Sequence, residues 1–285
     1  MYRGLIGTVF IFILIKSTGG TLKTRLPWHH VRRSLIGVTA LWLWFYSISL
    51  LPLAMSMTLN YTAPIWMAAI LFSAAWWHGH NKFEWGLAAA ILTSFIGITL
   101  LLQPAIQANQ WLGGIIGLAS GMLSALAYLQ VRQLGRAGEP EYRIVFYFSV
   151  MGAVAGLAGS IFTALLAYFT GASPGSEVWH THTPYGLLLL LGIGVSAAIA
   201  QMAMTRAYRL GNTLVNANLQ YTGIVFSSIW GIMIWGDVLN LLGWSGIALI
   251  IASGIAATFY NARRAAAAAA PATPATSADA IATEI

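Results

Sequence analysis

The chain has no cysteine and very little charge. Without cysteine there is no disulfide framework, no thiolate metal site and no thiol nucleophile. Charged residues make up 7% of its 285 residues, where a soluble domain carries about 25%. Fourteen Lys/Arg and seven Asp/Glu are too few to clothe a soluble globule of this length. Acids are the scarcest: Glu84, Glu139, Glu141, Glu177, Asp237, Asp279 and Glu284 all fall in loops, at the edges of apolar runs or in the tail. A carboxylate proton relay inside an apolar run is thereby excluded, as are paired carboxylates for acid–base work.

Apolar length is what the chain has in quantity, with 58% hydrophobic residues. A membrane-spanning helix needs about 17 to 25 mostly apolar residues, because its backbone must satisfy its own hydrogen bonds across hydrocarbon. Nine segments qualify, near residues 4–19, 34–53, 59–77, 85–103, 111–131, 144–169, 184–204, 213–235 and 239–261. The first ends in Lys16 and Ser17 without a small-residue cleavage pattern and is followed by eight more, so it reads as a span rather than a signal peptide. The fold class expected is an all-α integral membrane protein with nine transmembrane helices.

The net charge of +7 does not imply nucleic acid, because the basic residues are dispersed between apolar runs and form no arm or helix face. If the nine spans alternate, Lys16, Lys23, Arg25, Arg32, Arg33, Lys82, Arg132, Arg136, Arg143, Arg206, Arg209, Arg263 and Arg264 share one side and Arg3 alone takes the other. The positive-inside rule makes the shared side cytoplasmic. The expected location is a bacterial-type inner membrane, with the C-terminus cytoplasmic. His29-His30 beside Arg32-Arg33 reads as an inner-surface segment able to touch anionic lipid.

Short matches recur in the same order along the chain. Leu59-Asn60-Tyr61-Thr62 returns as Leu219-Gln220-Tyr221-Thr222, with Leu50 and Leu210 at the same offset upstream. Tyr2-Arg3 returns as Tyr142-Arg143, and Gly97-Ile98 as Gly254-Ile255. This pattern predicts an inverted repeat of two five-helix units whose first helix is missing. Residues 1–103 form the first repeat with four spans, and 111–261 the second with five. Residues 262–285 form a disordered cytoplasmic Ala/Pro/Thr tail. Gly135 to Glu141 is the seam between the halves. Met1 is accordingly expected to be an internal or truncated start of a ten-span protein with both ends inside.

The order of motifs resembles the drug/metabolite transporter superfamily, specifically the EamA-type permeases. The likeness is carried by Tyr2-Arg3-Gly4, Phe45-Tyr46-Ser47, Leu50-Leu51-Pro52 and Asn60-Tyr61-Thr62-Ala63-Pro64. It continues in Gly97-Ile98, Gly113, Gly117, Ser124 to Tyr128, Arg206-Ala207-Tyr208 and Trp235-Gly236-Asp237. Two departures stand out: the absent first helix, and His78-Gly79-His80-Asn81-Lys82 with Glu84 where the family has a Leu-Gly-Glu turn. The resemblance implies amino acids or related metabolites as cargo, usually in export.

Polar residues inside spans are costly and usually face a cavity or another helix. Asn60, Tyr61 and Thr62 precede Pro64, which frees a backbone carbonyl. Gln220, Tyr221 and Asn218 hold the repeat-related position. Amides and phenols at two related sites make a pocket for a zwitterion or other polar solute, with Tyr46, Ser124, Tyr128 and Gln201 as further lining; the alternative role for all of them is helix-to-helix bonding. Trp76, Trp77, Trp85, Trp111, Trp179, Trp235 and Trp244 lie near span ends as an interfacial belt, while Trp42, Trp44 and Trp66 are deeper. His78 with His80 and His180 with His182 lack further ligands, so no metal is expected. Nor is any cofactor, and the chain is not expected to be an enzyme. Gly113, Gly117 and Gly121 make one smooth face for packing or sliding.

The function expected is a secondary transporter, an exporter or exchanger, moving a small metabolite such as an amino acid by alternating access. The rivals are a polytopic membrane enzyme and a non-transporting sensor or partner protein. The partners expected are the small-molecule metabolite and membrane lipid, with a homodimer left open.

Overall fold

The computed structural model describes residues 1–77, 84–103, 110–170, 182–236 and 238–269. Among them are eleven helices and no strand: α1 Tyr2–Ser17, α2 Pro27–Leu50, α3 Leu53–Asn60, α4 Ala63–Trp77, α5 Trp85–Leu102 and α6 Trp111–Arg136, then α7 Glu141–Thr170, α8 Pro184–Leu210, α9 Thr213–Leu219, α10 Thr222–Trp235 and α11 Leu241–Ala269. Six are long and apolar enough to cross a membrane: α2, α5, α6, α7, α8 and α11. The other three expected spans appear as the 16-residue α1 and as two broken pairs, α3 with α4 and α9 with α10.

Local chemistry sets the ends. Pro27 and Pro184 open α2 and α8, where a missing N–H is no loss. Thr183 caps α8 by accepting from the Gly186 N–H at 3.1 Å. At the far end of α2, Leu51 turns extended ahead of Pro52, so α2 stops at Leu50 and not at 53. It also starts at Pro27, seven residues before the apolar run at 34, and carries His30 and Arg33 on its inward face. Asn212 caps α9, accepting from Leu214 N–H at 2.9 Å and Val215 N–H at 3.3 Å. At the C-terminus, α11 continues past 261 through the alanine run to Ala269, alanine being the best helix former. That part of the expected disordered tail is therefore helical; residues 270–285 lie outside the described residues.

Apolar packing falls into three clusters. One joins α4, α5, α9, α10 and α11 through Leu87, Ile91, Ile98, Tyr221, Ile224 and Ile250. A second surrounds α6 through Met67, Ala125, Leu134 and Tyr208, and a third joins α1, α7 and α8 through Ile11, Ile15, Val145 and Ala198. Lipid tails are as apolar as these side chains, so close approach of small residues and buried polar contacts must add to the packing.

Glycine supplies the close approach. α5 and α11 run antiparallel: a Cβ on Gly97 would lie 2.8 Å from the Gly246 carbonyl, and one on Gly246 would lie 2.5 Å from that of Gly97. Near this crossing Ser94 bonds Ser253 and also donates to Asn218 Oδ1. The close partner of Gly97 is thus Gly246, not the sequence-matched Gly254, whose nearest neighbour is Leu219 at 3.6 Å. On α6, Gly113, Gly117 and Gly121 face Leu51, Leu59 and the Leu59–Thr62 turn in succession, so that smooth face packs the end of α2 and the first helix break.

Candidate functional site

The two broken pairs carry the repeated motif at their breaks. Tyr61 and Thr62 separate α3 from α4, and Gln220 and Tyr221 separate α9 from α10. Thr62 Oγ1 donates to the Leu59 carbonyl at 2.6 Å, and Thr222 Oγ1 donates to the Leu219 carbonyl at 2.7 Å. The same residue type closes both breaks in the same way. Pro64 sits in the first turn of α4, where it continues the helix without needing a donor. The Tyr61 and Tyr221 rings lie 6.1 Å apart between centroids, tilted by 46°, so the motif and its repeat meet.

A cavity of about 300 Å³ opens beside this meeting point, bordered by Trp44, Met57, Asn60, Tyr61, Ala63, Pro64, Ser124, Tyr128, Met204, Gln220 and Gly223. Asn60 Nδ2 donates to Ser120 Oγ at 2.6 Å, which fixes its amide. Tyr128 stacks on Tyr208 at 5.3 Å between centroids. Trp44, Asn60, Ser124 and Tyr128 also border a second cavity of about 300 Å³, completed by Arg3, Arg33, Gly37, Ala40, Leu41, Ala127, Phe148 and Gln201. Arg3, Leu41, Phe148 and Gln201 lead on to a third, more apolar cavity of about 320 Å³ bordered by Trp42 and Phe45. Shared walls make the three adjacent to one another in turn.

Six of the expected residues, Asn60, Tyr61, Pro64, Ser124, Tyr128 and Gln220, border the first cavity, and Gln201 borders the second. Four border none of the three. Tyr46 is 53% exposed on the outer face of α2; Trp44, two residues earlier, takes the inward position. Thr62 is tied to its own turn, Asn218 accepts from Ser94 Oγ at 2.7 Å, and Tyr221 is fully buried in the apolar cluster of α5 and α11.

Arg33 and Arg3 are the residues that sequence reasoning missed. Arg33 belonged to the expected inner-surface segment, yet it is 3% exposed and His30 is 1% exposed. Helical spacing explains the split: His30, Arg33 and Gly37 share the inward face of α2, while His29 and Arg32 face out. The three-residue interval, read on a helix begun at Pro27, was the available signal.

The described carboxylates are engaged elsewhere. Glu84 pairs with Arg264 at 2.6 Å, Glu139 with Arg143 at 2.7 Å, and Glu141 with Arg209 at 2.9 Å. Among the described residues no group of three or more potential metal ligands occurs. His78, His80, His180, Lys82, Trp179, Glu177 and Asp237 lie outside the described residues. Trp76, Trp77, Trp85, Trp111 and Trp244 are all exposed near helix ends, and Trp66 packs partly buried against the α6 cluster.

No protein-family model matches the chain. It is 28% identical over 255 residues to the pseudopaline exporter CntI of Pseudomonas aeruginosa (strain UCBPP-PA14), covering 90% of this chain and 83% of that protein. It is 25% identical over 264 residues to the riboflavin transporter of Vibrio cholerae, covering 91% and 81%. To the S-adenosylmethionine uptake transporter of Rickettsia bellii it is 20% identical over 236 residues, covering 81% and 72%. A solved crystal structure superposes with a TM-score of 0.73 over 93% of this chain and 87% of that one at 19% identity, a likeness of fold.

Proposed function

We propose that the chain is a secondary transporter of the EamA type in the drug/metabolite transporter superfamily. It moves a small polar metabolite, such as an amino acid, across the inner membrane by alternating access, as an exporter or exchanger. The observation that carries this reading is the cavity bordered at once by both helix breaks, through Tyr61 on one side and Gln220 on the other, with Asn60 and Ser124 as polar groups in a mainly apolar wall. Irregular backbone at membrane depth is tolerated where it lines a protein cavity, and paired broken helices are how many carriers hold a solute between two halves. Similarity to proteins named for export and for uptake of small molecules supports transport as the shared activity. Residues 1–103 and 111–261 are the two inverted halves, spanning nine times, and the antiparallel crossing of α5 on α11 fits that relation.

The test is flux of radiolabelled amino acids and other small metabolites into vesicles holding the purified chain. We expect saturable flux, reduced about tenfold by Tyr61→Ala and by Gln220→Ala, the equivalent of one hydrogen bond of about 1.4 kcal/mol. An imposed pH gradient should leave the rate unchanged, because no carboxylate of the described residues borders the cavities. Absence of flux across the panel, or product formation without flux, would overturn the reading.

A further inference from the structure

We propose that Arg33, with Arg3, forms a subsite for a carboxylate group of the cargo, so that the transported solute is a carboxylate-bearing one. The inference rests on the transporter reading and specifies its substrate class.

Arg33 is buried, and its Nε and Nη1 have no acceptor within the protein. A guanidinium stays charged at any physiological pH. Removing such a charge from water without a counter-charge is among the most unfavourable arrangements a protein adopts, and buried charges are normally paired. Three features establish that the group is placed there rather than stranded. Its Cζ lies 4.0 Å from the centroid of the Phe148 ring, a cation–π contact that offsets part of the cost. Gly37, one turn along α2, leaves the space it fills: a Cβ there would lie 2.8 Å from Nη1 and 3.0 Å from Phe148 Cε2. Arg33 borders the same cavity as Arg3, and no acid among the described residues is there to pair with either.

Two cations facing one cavity repel unless an anion joins them. A planar carboxylate suits a guanidinium, which presents its donors as a fork that matches two oxygens. Asn60, Ser124 and Gln201 around the same space offer neutral donors and acceptors to orient the rest of the solute. Among the described residues the wall has no carboxylate to receive an ammonium group, so recognition is of the anionic end. Because Asn60, Ser124 and Tyr128 border this cavity and the one at the helix breaks, a solute held by its carboxylate at Arg33 extends toward Tyr61 and Gln220.

The experiment uses the full chain in vesicles and in detergent, with succinate, glutamate and their diamides, which carry no carboxylate, as probes. Binding is read by thermal shift and by equilibrium binding of the labelled compounds. We expect succinate or glutamate to bind, Arg33→Gln to weaken that binding at least about tenfold, Arg33→Lys to weaken it less, and the amides to bind weakly and equally to all three. Arg3→Gln, at a partly exposed position, provides a second variant whose folding does not depend on a buried charge, and it should weaken carboxylate binding in the same direction. Equal loss of carboxylate and amide binding in properly folded variants would overturn the subsite, as would carboxylate binding indifferent to both arginines. A thermal shift produced only by phosphatidylglycerol vesicles, and by no soluble carboxylate, would assign the arginines to a lipid phosphate and overturn it too. Flux of a neutral solute untouched by Arg33→Gln would reject the subsite while leaving the transporter reading intact. Arginine-dependent carboxylate binding without flux of any solute would uphold the subsite and reject transport.

Discussion

Glu139 stands in the linker between α6 and α7 and is 5% exposed. Its Oε1 accepts from Thr24 Oγ1 at 2.6 Å, its Oε2 from Arg143 Nη1 at 2.7 Å, and His30 Nε2 lies 3.2 Å from the same Oε2. Arg143 in turn donates to the Thr21 carbonyl from Nε at 3.1 Å and Nη2 at 2.8 Å. Burial would push the Glu139 carboxyl up, but the hydrogen bonds from Thr24 and Arg143, the close His30 imidazole and the Arg143 charge together hold it below its ordinary value. A carboxyl lowered in the folded state stabilises fully above its unfolded value. That contribution is lost as pH falls through the unfolded value of about 4.3 and on through the lowered one. Glu139→Gln should therefore destabilise the detergent-solubilised protein at pH 7 by about 2 kcal/mol, the scale of a charged hydrogen bond. Thermal melts at pH 7 and pH 4 should also show wild type losing more stability on acidification than the variant. Parallel losses would mean that the linker carboxylate is not the group that titrates. Sequence alone marked Glu139 and Arg143 as loop charges; the partners that make them a clasp, Thr21, Thr24 and His30, come from a segment more than a hundred residues away.

At the scale of helices, the break at Tyr61 depends on a neighbour with no side chain. A Cβ on Gly121 would lie 2.6 Å from Thr62 Oγ1, 2.8 Å from the Leu59 carbonyl and 3.2 Å from that of Asn60. Gly114, on the same helix, has nothing within 4 Å of the equivalent point. Gly121→Ala should thus cost about 1–3 kcal/mol as overpacking against backbone that cannot yield, and should reduce flux by displacing Asn60. Gly114→Ala should be neutral or stabilising by up to about 1 kcal/mol, since alanine is the better helix former. Melting temperatures of the two variants decide the matter, and equal values would remove close packing as the reason for glycine at 121. Apolar runs located the helical segments well, because each needs only its own composition. They could not reveal that two of the nine runs are broken, because a run of apolar residues reads the same whether or not a turn interrupts it. Pro64 hinted at the first break, but the second has no proline; there Thr222, bonded back to Leu219, was the shared sign. Candidate residues at the breaks were legible through the repeat. Arg33 was not, because charge in a sequence is first counted toward a loop.

For the whole molecule, a chain of polar contacts gathers one set of helix ends. Arg143 reaches Thr21, Arg209 pairs with Glu141, Asn212 bonds Asn261 at 3.0 Å, and Arg264 pairs with Glu84. The opposite ends of α5 and α11 are joined instead by uncharged amides, Gln103 and Asn240, at 2.8 Å and 3.2 Å. We propose that the concentration of basic residues at this end sets the orientation on insertion, with that end in the cytoplasm and the Gln103–Asn240 end outside. The lack of native cysteine makes this directly testable, since a single introduced thiol is the only one to react. Val238, 93% exposed just ahead of α11, marks the amide end, and Ala266, exposed in the last turns of α11, marks the basic end. In intact cells a membrane-impermeant maleimide should label Val238→Cys and spare Ala266→Cys, which should react only after the membrane is opened. The reverse pattern would invert the topology and, with it, the direction in which Arg33 and Arg3 would meet a solute. Labelling of both in intact cells would mean that α11 does not cross the membrane, and the nine-span reading would fall with it.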